Sequence, residues 1–115
     1  MATTVQSRKA RGRNLQKYVR DKLYAVFPSL EEGDVESTSM GASGVDLKLS
    51  PKARKMFPYA IECKNQESLN VWASFKQAEA NVTKDTAPLL VFKRNRTDVY
   101  CMLKLDDFLK LFVKS

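Results

Sequence analysis

The stretch GVDLKLSPKARKMFPYAIECKNQ, residues 44–66, decides how the chain is read. Side chains alternate across a strand, so in YAIECK the residues Tyr59, Ile61 and Cys63 point to one face while Ala60, Glu62 and Lys64 point to the other. One face is apolar enough for a core, and the other sets an acid beside a base. Upstream, VDLKL alternates Val45, Leu47 and Leu49 with Asp46 and Lys48, which reads as a half-buried strand whose polar face begins with a carboxylate. If the two strands pair, Asp46 and Glu62 meet at one point with the Lys64 ammonium beside them. Two carboxylates suit a hard cation such as Mg²⁺ or Mn²⁺, which keeps several waters and binds phosphate. A bare Glu-x-Lys is more often a solvated pair without chemistry. Here it sits in an apolar strand, follows a Gly-x-Asp strand at suitable spacing, and has no rival catalytic set.

The segments around this stretch are regular. Leu15, Tyr18, Val19, Leu23, Val26 and Phe27 fall at helical spacing and Pro28 stops the pattern, which predicts a first helix over 14–27. VEST, residues 35–38, reads as a short strand before the small-residue loop SMGASG. SPKARKMFP is a connecting turn with about one helical turn after Pro51. Val71, Trp72, Phe75, Ala78 and Val82 predict a second amphipathic helix over 70–82. APLLVFKR and TDVYCML read as two more strands with a turn at Asn95, and Leu105, Phe108, Leu109 and Phe112 make a final helix capped near Asp106. The expected order is α-β-β-β-α-β-β-α, a mixed α/β domain with a central sheet flanked by helices.

At 115 residues the chain fits one domain. We expect a basic, flexible N-terminal arm over 1–13 and a single domain over 14–115. No signal peptide and no apolar run long enough to span a bilayer is seen, so an intracellular protein without membrane attachment is expected. Cys63 and Cys101 lie in apolar runs without metal-ligand spacing and read as buried thiols rather than a disulfide. There is no histidine, which removes the usual triads and zinc sites, and no glycine-rich phosphate loop.

The net charge of +7 favours a polyanionic partner. Position sharpens this: residues 1–22 carry seven basic side chains against Asp21 alone, a net +6. Arg8, Lys9, Arg11 and Arg13 are the leading phosphate-contact candidates, with Lys93, Arg94 and Arg96 as a second basic turn, against the alternative of a merely solvated surface. Ser39 and Ser43 sit just before Asp46, where hydroxyls can donate to a phosphate, or simply form a tight turn. Trp72 is expected in the core rather than as a base-stacking platform.

GVD followed by ECK, within this element order, resembles the PD-(D/E)xK nuclease superfamily. The start RKARGRN leading into helix one is similar to its Holliday-junction resolvase branch of archaeal type and small bacteriophage-encoded relatives. The resemblance implies a restriction-endonuclease-like core and a Mg²⁺-dependent endonuclease, with Mn²⁺ able to substitute. Asp46, Glu62 and the backbone carbonyl of Cys63 would hold the metal and Lys64 would assist the attacking water. It further implies products with 5′-phosphate ends, branched or four-way DNA as substrate, and a homodimer. Similar nucleases place a polar helical residue near the metal, here Gln77, which otherwise reads as an ordinary surface glutamine. Resolvases usually carry a glutamate on helix one where this chain has Gln16. Glu36 or Asp34 could supply the missing charge, and Glu36 otherwise reads as a solvated edge charge. A general or end-directed DNA nuclease and a catalytically inactive DNA-binding module of the same fold remain as alternatives.

Overall fold

The computed structural model describes residues 5–38 and 44–113. Ser39 and Ser43 lie outside the described residues. The chain runs through α1 (Val5–Val26), β1 (Val35–Ser37), β2 (Leu47–Leu49), α2 (Pro51–Met56), β3 (Tyr59–Asn65), α3 (Val71–Ala80), β4 (Ala87–Lys93), β5 (Tyr100–Met102) and α4 (Leu105–Lys110). The α/β class is as expected, and α2 adds a helix between the second and third strands. Ser50 starts that helix by accepting a hydrogen bond from the Ala53 N–H at 3.1 Å, and Pro51 brings a φ already suited to the first turn.

The first helix departs most from expectation, because residues 5–13 of the anticipated flexible arm are its opening turns. Gln, Arg, Lys and Ala favour helix, no proline intervenes, and the single Gly12 costs only about 1 kcal/mol. Leu15 and Leu23 are buried against the sheet and Gly12 is buried with them. The Tyr24 hydroxyl, which accepts from the Val35 N–H at 3.0 Å, ties the helix to β1.

β1 and β2 form an antiparallel pair with Val35 opposite Leu49. β3, β4 and β5 form a mixed sheet in that order, β3 parallel to β4 with Ile61 beside Leu89, and β5 antiparallel to β4 with Cys101 beside Val91. The β3–α3–β4 crossover puts α3 on one face of this sheet, and α1 packs against β3 and β1. The main core gathers Leu15, Leu23, Val35, Leu47, Leu49, Ile61 and Val91. Outside that cluster, Ala60 and Leu90 of the sheet and Phe75 and Ala78 of α3 are also buried. Parallel strands covered on both faces read as continuous apolar runs, which explains YAIEC and PLLV.

Three smaller expectations fail for reasons of packing. Trp72 is 73% exposed, because α3 turns Ser74, Phe75 and Ala78 to the sheet and leaves Trp72 off that stripe. Cys101 is exposed because β5 is an edge strand, whereas Cys63 is buried; both are free thiols. The final helix takes Lys104 as its N-cap, without a side-chain capping bond, rather than Asp106. Among the described residues, no helix is long and apolar enough to cross a membrane.

Candidate active site

Asp46 lies at the junction of the two sheets, one residue ahead of β2. Gly44, at φ +101°, lets the chain turn into position there, a conformation in which an L side chain would be strained. The Asp46 N–H donates to the Ile61 carbonyl at 3.1 Å, and its carbonyl accepts from the Thr38 N–H at 3.0 Å. One residue is therefore hydrogen-bonded to β3 on one side and to the end of β1 on the other. Its carboxylate accepts from the Cys63 N–H at 2.7 Å, which fixes it beside Glu62. The two strands do not form a regular ladder; this single joint brings the carboxylates together.

Glu62 is buried in the middle of β3, and Lys64 Nζ lies 3.6 Å from its Oε2. Burial first, then the neighbouring Asp46 charge, push the Glu62 carboxyl up to about 7, against the opposing pull of Lys64. Asp46 is also raised by burial, with the Cys63 N–H and Lys64 holding it back. The Cys63 side chain packs in the main core, and burial pushes its thiol well above the ordinary range, so the residue serves the site through its backbone. These groups open onto a cleft of about 330 Å³, lined also by Arg8, Lys9 and Gly12 of α1 and by Gln77 of α3.

The cation sites expected from sequence divide into several groups. Arg8 and Lys9 line the same cleft as the carboxylates, Arg11 lies beside them in an adjoining groove with Arg8, and Gln77 also lines the cleft. Arg13 lies elsewhere, in a cleft of about 860 Å³ with Lys17 and Arg20, because residues four and seven further along a helix share its face. Lys93 and Arg94 border a third groove with Phe92 and Tyr100, and Arg96 is exposed in the β4–β5 turn with φ +62°.

Neither Gln16 nor Glu36 lines the carboxylate cleft. Gln16 is 1% exposed and its Oε1 accepts from the Ser37 hydroxyl at 2.5 Å, joining α1 to β1. Glu36 points to solvent and lines the Arg13 cleft. Asp34 accepts from the Glu31 N–H at 2.6 Å and from the Ser50 hydroxyl at 2.7 Å, a structural role that keeps its carboxyl below the usual range. Among the described residues no third acidic, histidine or cysteine side chain completes a metal-binding cluster.

Asn65, which sequence reasoning passed over, also lines the cleft. Its Oδ1 is buried without a hydrogen-bond partner in the structure, and a buried acceptor of that kind carries a desolvation penalty until something donates to it or coordinates it. The only signal in sequence was its place directly after ECK. The two apposed carboxylates are an all-oxygen pair that fits a hard divalent cation keeping several waters.

Comparison with curated proteins and with solved structures found no match. A family model described as "Phage putative PDDEXK endonuclease" matches residues 8–115, which span all nine elements apart from the start of α1. The chain therefore belongs to this family of phage PDDEXK endonucleases.

Proposed function

We propose that this nuclease is a divalent-metal-dependent endodeoxyribonuclease that hydrolyses phosphodiester bonds in branched DNA, most specifically at four-way junctions, in the host cytoplasm. The observation that carries the reading is the convergence of Asp46, Glu62 and Lys64 on a cleft whose rim is the basic start of α1. Asp46 and Glu62, with the Cys63 carbonyl, would hold Mg²⁺ or Mn²⁺. The bound cation would supply Lewis-acid chemistry, polarising the phosphodiester and making water a better nucleophile.

The protein's own groups account for the rest. The Cys63 N–H keeps Asp46 oriented, and the Lys64 ammonium lies where it can orient water and balance charge developing at phosphorus. Arg8 and Lys9 pair with phosphates flanking the cut, and Gln77 donates to or accepts from the bound strand. Hydrolysis leaves a 5′-phosphate and a 3′-hydroxyl. A homodimer would present two such sites to the two strands of a junction.

A second reading, DNA binding without cleavage, is favoured by the absence of a third acidic ligand among the described residues. The discriminating experiment is cleavage of labelled four-way junction, flap, duplex and single-stranded DNA, in Mg²⁺ or EDTA, by the wild type and Lys64→Ala. Paired nicks in the junction alone, lost with EDTA and in the variant, support the resolvase. Cutting of every substrate points to a general nuclease, and retention of every substrate without cutting points to the binding module.

A further inference from the structure

We propose that the outward face of α4, together with the edge of β5, is the surface through which two copies of this chain associate. This deepens the homodimer of the functional reading by naming its interface. From Leu105 in α4 to Phe112 in the turn just past its end, Leu105, Phe108, Leu109 and Phe112 follow the i, i+3, i+4, i+7 spacing of an apolar stripe. Such a stripe ordinarily faces the core, but here it faces water: Leu105 is 69%, Leu109 50% and Phe112 70% exposed, and α4 buries none of its residues.

The side turned toward the domain instead carries a carboxylate. Asp107 has the least exposed side chain of the charged residues in its ion pair with Lys110, at 18% against 76%. Its charge reaches Tyr59, where it adds to burial in raising the phenol. An amphipathic helix oriented in this way leaves its apolar face for another molecule.

The size of the surface suits a second copy. With Val113, also exposed beside Phe112, the stripe offers roughly 500–600 Å² of apolar surface. That is at the top of the ~300–600 Å² range for the largest patch of an ordinary monomer, and it matches the roughly 65% apolar share of the ~800 Å² that each partner gives to a standard homodimer interface.

Charge points the same way. Each chain carries +7 and concentrates it in α1, so two copies repel through that region. Over residues 104–110, Lys104 and Lys110 balance Asp106 and Asp107, which makes the α4 surface locally neutral. It offers little to a polyanion. Two α4 helices related by a two-fold axis run antiparallel and set Asp106 of one against Lys110 of the other, twice, so the pattern is complementary to itself. Among the described residues β5 has no neighbouring strand on its outer side, and it lies at the edge away from β3 and the carboxylates. Association there leaves both clefts open.

The test is the mass of the full chain in solution, by light scattering on gel filtration over a range of concentrations. The wild type is expected at twice the 13.1 kDa chain mass. Leu109→Glu and Phe112→Glu are expected to halve it while retaining the wild-type circular dichroism, since neither side chain is part of the core. Trp72→Glu, on a different exposed surface, should remain dimeric. Asp106→Lys should weaken the dimer at least tenfold, and Lys110→Asp added to it should recover most of the loss. A wild type that is a monomer at every concentration overturns both the interface and the homodimer, leaving the nuclease assignment to the cleavage assay. A dimer indifferent to both α4 substitutions overturns the interface alone.

Discussion

The Cys63 N–H donates to the Asp46 carboxylate at 2.7 Å, so the residue between Glu62 and Lys64 orients the acid supplied by the other sheet. Three residues of β3 thereby act on one point: Glu62 and Lys64 through their side chains and Cys63 through its backbone. Substituting the Cys63 side chain leaves that bond in place. Cys63→Ala is therefore expected to retain cleavage while costing about 1–2 kcal/mol of stability through the small cavity it opens. Kinetics and urea unfolding on the same sample check both parts.

Removing the reactive side chains should do the reverse. Lys64→Ala and Glu62→Gln are expected to lower the cleavage rate at least 10²-fold, the scale of losing one charge-stabilising group, while remaining folded. Single-turnover cleavage with circular dichroism on each variant is the check. Full activity in both would remove the site from the reaction.

The Glu62 carboxyl sets a pH dependence whose sign can be worked out. Its folded value is raised from 4.5 to about 7, chiefly by burial, so the folded state binds the proton more tightly than the unfolded chain. The stabilisation is complete below pH 4.5 and is lost as pH rises through about 7. Without metal, the protein should lose on the order of 2–3 kcal/mol between those limits, and Glu62→Gln should flatten the profile. Urea unfolding in EDTA at several pH values measures this. Mg²⁺ should raise the melting temperature more at pH 8 than at pH 5, because the cation competes with the proton for the same oxygens.

Phosphate contacts at the site should appear in the salt dependence of binding. Arg8→Ala with Lys9→Ala, placed in the Lys64→Ala background to prevent cutting, is expected to lower the slope of log K against log salt by about 2. Fluorescence anisotropy of labelled DNA across a salt series reads this directly. An unchanged slope would mean that these side chains are only solvated.

Gln16 offers a test of what its position can support. Its amide is buried and accepts from the Ser37 hydroxyl, outside the lining of the carboxylate cleft, so Gln16→Glu places a carboxylate where water is absent. The variant should lose about 2–4 kcal/mol without any gain in cleavage rate. A rise in activity would mean that this position does reach the metal.

Much of this was legible in the chain itself. Apolar periodicity located α1, α3 and the strands, because burying a stripe or a face requires those spacings. The order of Gly-x-Asp and Glu-x-Lys singled out Asp46, Glu62 and Lys64, since few other residues in a histidine-free chain can do this chemistry. The start of α1 was misjudged because residues 5–13 lack the apolar repeat that marks a helix, although their propensities allow one continuous with the packed part. Trp72 and Cys101 were misplaced because helical phase and edge position, rather than hydrophobicity, decide which side chains meet a neighbour.

The sequence by itself determined which groups are available: two carboxylates, a lysine, a strongly basic first helix, and strands apolar enough to bury them. Only the tertiary structure decided which of these groups meet. Arg8 and Lys9 line the carboxylate cleft while Arg13 lies in another, because successive residues on a helix point in different directions. Glu62 titrates near neutrality because α3 and the sheet remove it from water beside another acid. Gln16 is buried and bonded to Ser37 of β1, and α4 turns its apolar face outward, because hydrogen-bonding and packing partners distant in sequence decide where each side chain ends.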